Sequence, residues 1–387
     1  MKKNLTYISV ITVTLVTSLA AQAQDDMEPG FYPGVGLSLA SDDNIYRTNT
    51  GVTSDTYFLL NPSLLFKGQF GKHSVDVSYA GNYAYYQAET GENYGDNYTN
   101  ADAKLDLTPK FNLNLNAAYS TLHESRGAAG TDLTISPTPN LYTDTHLSGE
   151  VVYGRRTNTG QFSLSYESLR RVFTNNSQEE RDHNVDNITG TFFYNYSAKT
   201  SFLFESGVAG IDYVNPAPIN LDSTETHYFL GARWEATAKT TGTIKFGTVS
   251  KDLKDVTLSD FNGNGFDVSV VWKPKSYSSV QLTASRYPRE SAYSTDSYYV
   301  SDMYGLAYRH GFSERVELNA NITSGVDSYS SGSRKDDLSG FGIGVSYKLN
   351  RLLKLDGRYI NSSRSSNVTG ADYKSNVYML AISTSAG

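Results

Sequence analysis

The chain has 387 residues, with 33 Lys and Arg against 40 Asp and Glu and no cysteine. Disulfide and Cys-ligated zinc chemistry are therefore excluded, and a net charge of −7 gives no basic face for nucleic acid. Tyrosine is in excess, 30 residues beside 17 Phe and 2 Trp. That argues against a disordered chain, and no repeated apolar runs of about 20 residues mark membrane helices.

Residues 1–23 read as an export signal. Lys2 and Lys3 form a positive start, Leu5 to Ala20 is apolar with Ser and Thr interspersed, and Ala21-Gln22-Ala23 is a small-x-small cleavage pattern. Removing this segment takes two lysines and no acid, so the remaining unit, 24–387, is more acidic. It is expected to be a single domain.

From there the dominant signal is alternation of apolar and polar residues. Ala101, Ala103, Leu105 and Leu107 oppose Asp102, Lys104 and Asp106. Phe111, Leu113, Leu115, Ala117 and Tyr119 oppose Asn112, Asn114 and Asn116. Phe162, Leu164 and Tyr166 oppose Gln161, Ser163, Ser165 and Glu167; Val316, Leu318, Ala320 and Ile322 oppose Glu317, Asn319 and Asn321. Leu353, Leu355 and Tyr359 oppose Lys354, Asp356 and Arg358, and Tyr378, Leu380 and Ile382 share a face of the last segment. Period two places successive side chains on opposite faces of a sheet.

Short polar turns at 70–72, 109–110, 156–160, 198–200, 238–240, 274–276, 311–314 and 350–351 alternate with longer Ser-, Gly-, Asn- and Asp-rich segments. The longer ones cover 41–55, 87–97, 125–143, 174–182, 214–223, 252–259, 288–296, 328–335 and 362–371. Together they join about 18 strands, with 16 possible because the first and last hairpins are the least regular. A β-propeller would pack four short strands into each period of about 40 residues, where this chain holds two long ones. The expected fold is all-β: a single transmembrane antiparallel up-and-down β-barrel, with both ends on the short-turn side. A barrel of that size is too wide for side chains to fill. The apolar phase must then face lipid and the polar phase water, and the tyrosines collect at the two membrane surfaces. The expected location is the bacterial outer membrane.

The lumen-facing candidates are Asp102, Lys104, Asp106, Glu150, Glu167, Glu205, Arg233, Glu235, Lys245, Arg309, Glu317, Lys354, Asp356 and Arg358. They read first as cross-strand charge pairs around a hydrated bore, and second as an eyelet that selects solute. Tyr86, Phe193, Phe229, Tyr287 and Tyr299 also land on the polar phase, where rings could stack on sugar faces. The segment 125–143 either folds inward as a constriction or covers the outer mouth. Ser328-Tyr329-Ser330-Ser331-Gly332-Ser333 reads as a flexible loop. His123-Glu124-Ser125 and Asp182-His183 are the only catalytic vocabulary, and both read better as polar strand ends. No enzyme activity, metal or other cofactor is expected.

Gly34-Val35-Gly36-Leu37-Ser38, followed by Ser41-Asp42-Asp43-Asn44-Ile45-Tyr46-Arg47, resembles the first hairpin of the β-barrel porin type 2 family, which is often found with exopolysaccharide and capsule synthesis systems. The resemblance extends in architecture over most of the chain. It departs at Ser385-Ala386-Gly387, where an outer-membrane barrel ordinarily ends on an aromatic residue. The resemblance implies a non-enzymatic role in moving polysaccharide across the outer membrane, with lipid, polysaccharide and periplasmic export machinery as partners. A general diffusion porin is the alternative, ahead of an outer-membrane hydrolase or an adhesin.

Overall fold

The computed structural model describes residues 27–131, 135–215, 219–237, 239–291, 296–332 and 334–384. Residues 1–26, with the expected signal, and 385–387 lie outside them. Eighteen antiparallel strands form one sheet closed on itself. In chain order they are β1 (Gly30–Asp42), β2 (Asp55–Phe70), β3 (His73–Tyr86), β4 (Tyr94–Thr108), β5 (Phe111–His123) and β6 (Leu141–Tyr153). There follow β7 (Gly160–Phe173), β8 (His183–Ser197), β9 (Thr200–Tyr213), β10 (Ser223–Thr237), β11 (Thr240–Leu253) and β12 (Phe261–Lys275). The last six are β13 (Ser278–Glu290), β14 (Tyr298–Gly311), β15 (Val316–Tyr329), β16 (Lys335–Lys348), β17 (Leu353–Ser366) and β18 (Tyr373–Thr384).

Each strand pairs with the next, and β1 also pairs with β18 from Gly36↔Ser383 to Asp42↔Val377. Closure satisfies the backbone in a medium without water and leaves no sheet edge. The alternation read from the sequence becomes two faces. Along β1, Phe31, Val35, Leu37 and Leu39 are exposed on the outside, and Tyr32, Ser38 and Ala40 face inward. Exposed Tyr153, Phe162, Tyr194, Phe202, Trp272, Tyr308 and Tyr347 cluster on the outer face near the short turns, forming one aromatic girdle.

Strands of 12 to 16 residues exceed the roughly 9–11 that cross a bilayer, and the surplus lies toward the long connections. Several strands run into segments whose composition reads as loop. β13 continues to Glu290, β15 to Tyr329 and β17 to Ser366. Ser328 and Tyr329 are thus strand, not flexible loop, and Gly332 at φ +72° closes a tight turn on which its N–H donates to Tyr329 O at 2.9 Å. The reason is local. At this end both faces of a strand can be covered, as at Tyr298, Tyr299 and Val300, all buried in succession. The alternation that marks a strand in sequence is lost there.

Candidate functional site

The register sets several of the candidate charges opposite polar neighbours: Asp76↔Asp102, Lys104↔Asn114 and Asn114↔Glu150 on one side of the barrel, and Lys245↔Asp267 and Asp356↔Ser346 on others. Most contact wall neighbours. Lys245 Nζ meets Glu205 Oε1 at 2.9 Å, and Thr191 Oγ1 donates to Glu205 at 3.2 Å. His146 Nε2 lies 2.7 Å from Glu167, Arg156 2.6 Å from Glu235, Arg309 Nε 2.6 Å from Glu317 and Lys354 3.2 Å from Asp356. Asn116 Nδ2 donates to Asp102 at 2.9 Å and Asn114 Nδ2 to Glu150 at 3.2 Å. The wall is polar, mixed in sign and largely self-paired.

The lumen-phase rings pack on neighbours in the wall. Tyr86 stacks on Tyr57 at 4.6 Å, and Arg233 lies 3.9 Å over Phe193. Phe229 is 1% exposed, with Tyr287 edge-on at 6.1 Å. Tyr299 is 3% exposed and stacks on Tyr329 at 5.3 Å. Phe193, Phe229 and Tyr299 are buried under neighbours, and Tyr86 and Tyr287 are half-buried.

The catalytic vocabulary is likewise absorbed into structure. His123 stacks on Tyr94 at 3.6 Å and its Nδ1 lies 2.9 Å from Asp96. Asp182 accepts the Phe173 N–H at 2.7 Å, while His183 Nδ1 turns to Arg181 O at 2.8 Å, so Asp182 and His183 serve different partners.

The functional feature is the connection between β5 and β6, which enters the lumen. Arg126 grips Glu92 with two bonds of 2.9 and 2.5 Å and Ser136 O at 2.8 Å, with its guanidinium 5.7 Å over the Tyr46 ring. Beyond it the tip reaches the wall half-way round the barrel. Arg364 of β17 donates to Gly127 O, and the Gly130 N–H donates to Tyr329 Oη of β15 at 3.1 Å. Gly130 has φ +74°, and a Cβ there would stand 2.7 Å from the Tyr299 ring. Glycine is what the approach admits. Residues 132–134 of this connection lie outside the described ones.

Under the tip, buried charges hold the wall. Arg334 and Asp336, both 0% exposed at the side chain, pair at 2.7 Å, and Arg364 lies 3.6 Å from the same carboxylate. Glu290 O comes within 3.2 Å of the Cβ position of Gly130, and the Glu290 side chain spans to Tyr213 Oη at 2.6 Å and to Lys251. A continuous belt therefore crosses the lumen from β5 to β9 and β11. At its root Glu124 accepts two bonds from Arg181, at 2.6 and 3.0 Å, and one from Asn140 at 2.8 Å. Burial alone would raise the Glu124 carboxyl; the Arg181 guanidinium and Asn140 override it and hold it below the usual carboxylate range. Burial and the Glu89 carboxylate push the Tyr46 hydroxyl up to about 12.

The same region explains the first-hairpin stretch. Asp42 accepts from Arg47 at 2.8 Å, from the Asn44 N–H at 2.9 Å and from Ser375 Oγ of β18 at 2.9 Å. Asn44 Nδ2 donates to Lys374 O at 2.8 Å, and Asp43 takes Asn376. The stretch is a clasp across the closing seam, and Arg47 packs against Gly127 of the inserted connection. Sequence reasoning did not single out Lys251, Glu290, Arg334, Asp336 or Arg364 for the site. Lys251 was available, since it continues the phase of Lys245 along β11. Glu290, Arg334 and Arg364 lie in segments that read as loop, and Asp336 directly follows one.

Several solved barrels share the fold. OpdO of Pseudomonas aeruginosa aligns with a TM-score of 0.50 and 11% identity, over 93% of this chain and 98% of that one. OccK2 (OpdF) of the same organism aligns with a TM-score of 0.50 and 9% identity, over 92% and 98%. At such identity the likeness is one of fold. No curated protein sequence matches the chain. The family described as "Putative beta-barrel porin 2" matches residues 30–385, from the first residue of β1 to beyond the end of β18, and this chain belongs to it.

Proposed function

We propose that the protein is a constricted outer-membrane channel for small hydrophilic solutes. The observation that carries this reading is the β5–β6 connection, bonded by its tip to the opposite wall above a polar lumen of mixed charge. Such a lumen passes hydrated solutes, and the belt limits their size. Planar-bilayer recording of the purified protein tests it. Low, steady conductance is expected, rising several-fold when residues 127–136 are deleted. A silent deletion variant would sink the proposal.

A second reading, export of an exopolysaccharide or capsule polymer, draws on the amide-rich wall of β4 and β5. There Asn116 donates to Asn100 at 2.7 Å and Asn114 to Glu150, and such groups suit sugar hydroxyls. A polymer requires the belt to leave the lumen, whereas a small solute does not. Added oligosaccharide should therefore block the deletion variant, and not the intact channel, if the polymer reading holds. Loss of surface polymer on removing the gene is its second test.

A further inference from the structure

Toward the long connections the wall overlaps itself at one seam. Between β12 and β13 the ladder runs up from the short turn and ends at Phe266↔Arg286. Both strands continue, β12 paired to β11 as far as Lys251↔Phe261 and β13 to β14 as far as Glu290↔Tyr298. The side-chain phase shows where the parted strands go. On β13 and β14 the exposed Leu282 and Tyr304 mark the outward phase, which Pro288, Glu290, Tyr298 and Val300 continue. On β11 the exposed Phe246 marks the outward phase, so Lys251 and Leu253 stand on the lumen phase.

These opposite phases meet. Tyr298 and Val300 bury against Leu253 in one cluster, with Phe261 packed on it. Glu290 pairs with Lys251 and accepts from Tyr213 Oη at 2.6 Å, and Tyr298 Oη donates to Asp260 O at 3.2 Å. The upper arms of the β13–β14 hairpin, 287–290 and 298–300, therefore lie inside the barrel, with their outward face laid on the lumen face of β11. Their other face carries Tyr299, whose ring meets Gly130 at the tip of the β5–β6 connection. The sequence accounts for the parting. Pro288 brings no N–H to a ladder, and Asn262-Gly263-Asn264-Gly265 weakens the facing strand.

Two arrangements compete for these arms. Docked inside, they hold the ion pair and the buried cluster but form no ladder with β12. Placed in the wall, the register of Phe266↔Arg286 would continue with Gly265 opposite Tyr287 and on to Asn262 opposite Glu290. That gains ladder bonds and gives up the lumen contacts. Each set excludes the other, as a two-state element requires. We propose that the upper β13–β14 hairpin is a hinged gate in the lumen, closed in this structure and opened by zipping into the wall against β12. Glu290 is its latch, through Lys251 and Tyr213. On opening, Tyr299 leaves the tip and the lumen widens beside the β5–β6 connection. The effect on conductance rests on the channel reading above; the movement does not.

The chain has no cysteine, so a cysteine pair reports the movement directly. Gly263 stands on the lumen phase of β12, and Arg289 shares the Tyr299 face, turned away from the wall. The two come opposite one another only in the zipped arrangement. Mild oxidation of Gly263→Cys/Arg289→Cys in the full barrel in vesicles should form the disulfide, read by mass spectrometry of the bridged peptide. Adding Glu290→Gln should speed it several-fold. In planar bilayers the oxidised pair should conduct several-fold above the wild type and return on reduction. Glu290→Gln alone should open the channel more often, which decides the matter if the cysteine pair does not insert. No disulfide, a rate or opening frequency that Glu290→Gln leaves unchanged, or a disulfide without effect on a conducting barrel overturns the proposal. A barrel silent even without residues 127–136 overturns the channel reading, and the disulfide rates still decide the gate.

Discussion

Asp336 shows how much rests on single groups here. It is fully buried, with Arg334 and Arg364 both turned to it. Removing one partner of a buried pair leaves an uncompensated charge. Asp336→Ala should therefore destabilise the barrel by about 3–5 kcal/mol, read as a lower urea midpoint for unfolding from vesicles. Gly130 is the converse case, where adding atoms does the damage. Gly130→Val places a branched side chain at φ +74°, against the Tyr299 ring. The left-handed conformation alone costs about 1–2 kcal/mol. The tip should undock, and single-channel conductance should rise with the β-sheet circular dichroism unchanged.

The β5–β6 connection is held along its length, and its root responds to pH. Its root is tied to the β7–β8 connection through Glu124 and Arg181. The Glu124 carboxyl in the folded protein lies below its ordinary 4.5, so the released segment binds more protons than the docked one. The tie is complete above 4.5 and is lost as pH falls through the lower folded value. Limited proteolysis of the connection should accelerate on acidification into that range. In Glu124→Gln the cleavage should already be fast at neutral pH and show no such step. The strands and turns around this element were legible in the sequence, because one face meets lipid and the other water and the two chemistries alternate. The path of the connection was not. Its Ser, Gly and Pro content fits a lid over the mouth as well as a crossing of the lumen, and the deciding contacts are with Tyr299, Tyr329 and Arg364, remote in sequence. Glu290 was hidden for a related reason: β13 leaves β12 at Arg286, and the residues beyond it have no alternating surroundings to reveal them.

For the molecule as a whole, the membrane sets the outer face and closure sets the rest. Every neighbouring pair in the sheet joins consecutive strands except β1 with β18. That seam is also where Asp42, Asp43 and Asn44 reach Ser375, Asn376 and Lys374. Asp42→Ala should lower the rate of barrel formation in vesicles more than an alanine elsewhere on β1, measured by the change in gel mobility on heating. The closing pair has a kinetic consequence. Each hairpin forms from local contacts, so the chain has low contact order up to its final step. Across that seam Ser375 Oγ donates to Asp42, 333 positions away, and closing a free loop of that length costs about 5 kcal/mol of entropy. Hairpins assembled side by side curl the sheet and shorten that distance beforehand. A chain stopped before Tyr373 would therefore present two long unpaired edges, β1 and β17, and should assemble with its own copies through them instead of ending as a monomeric ring.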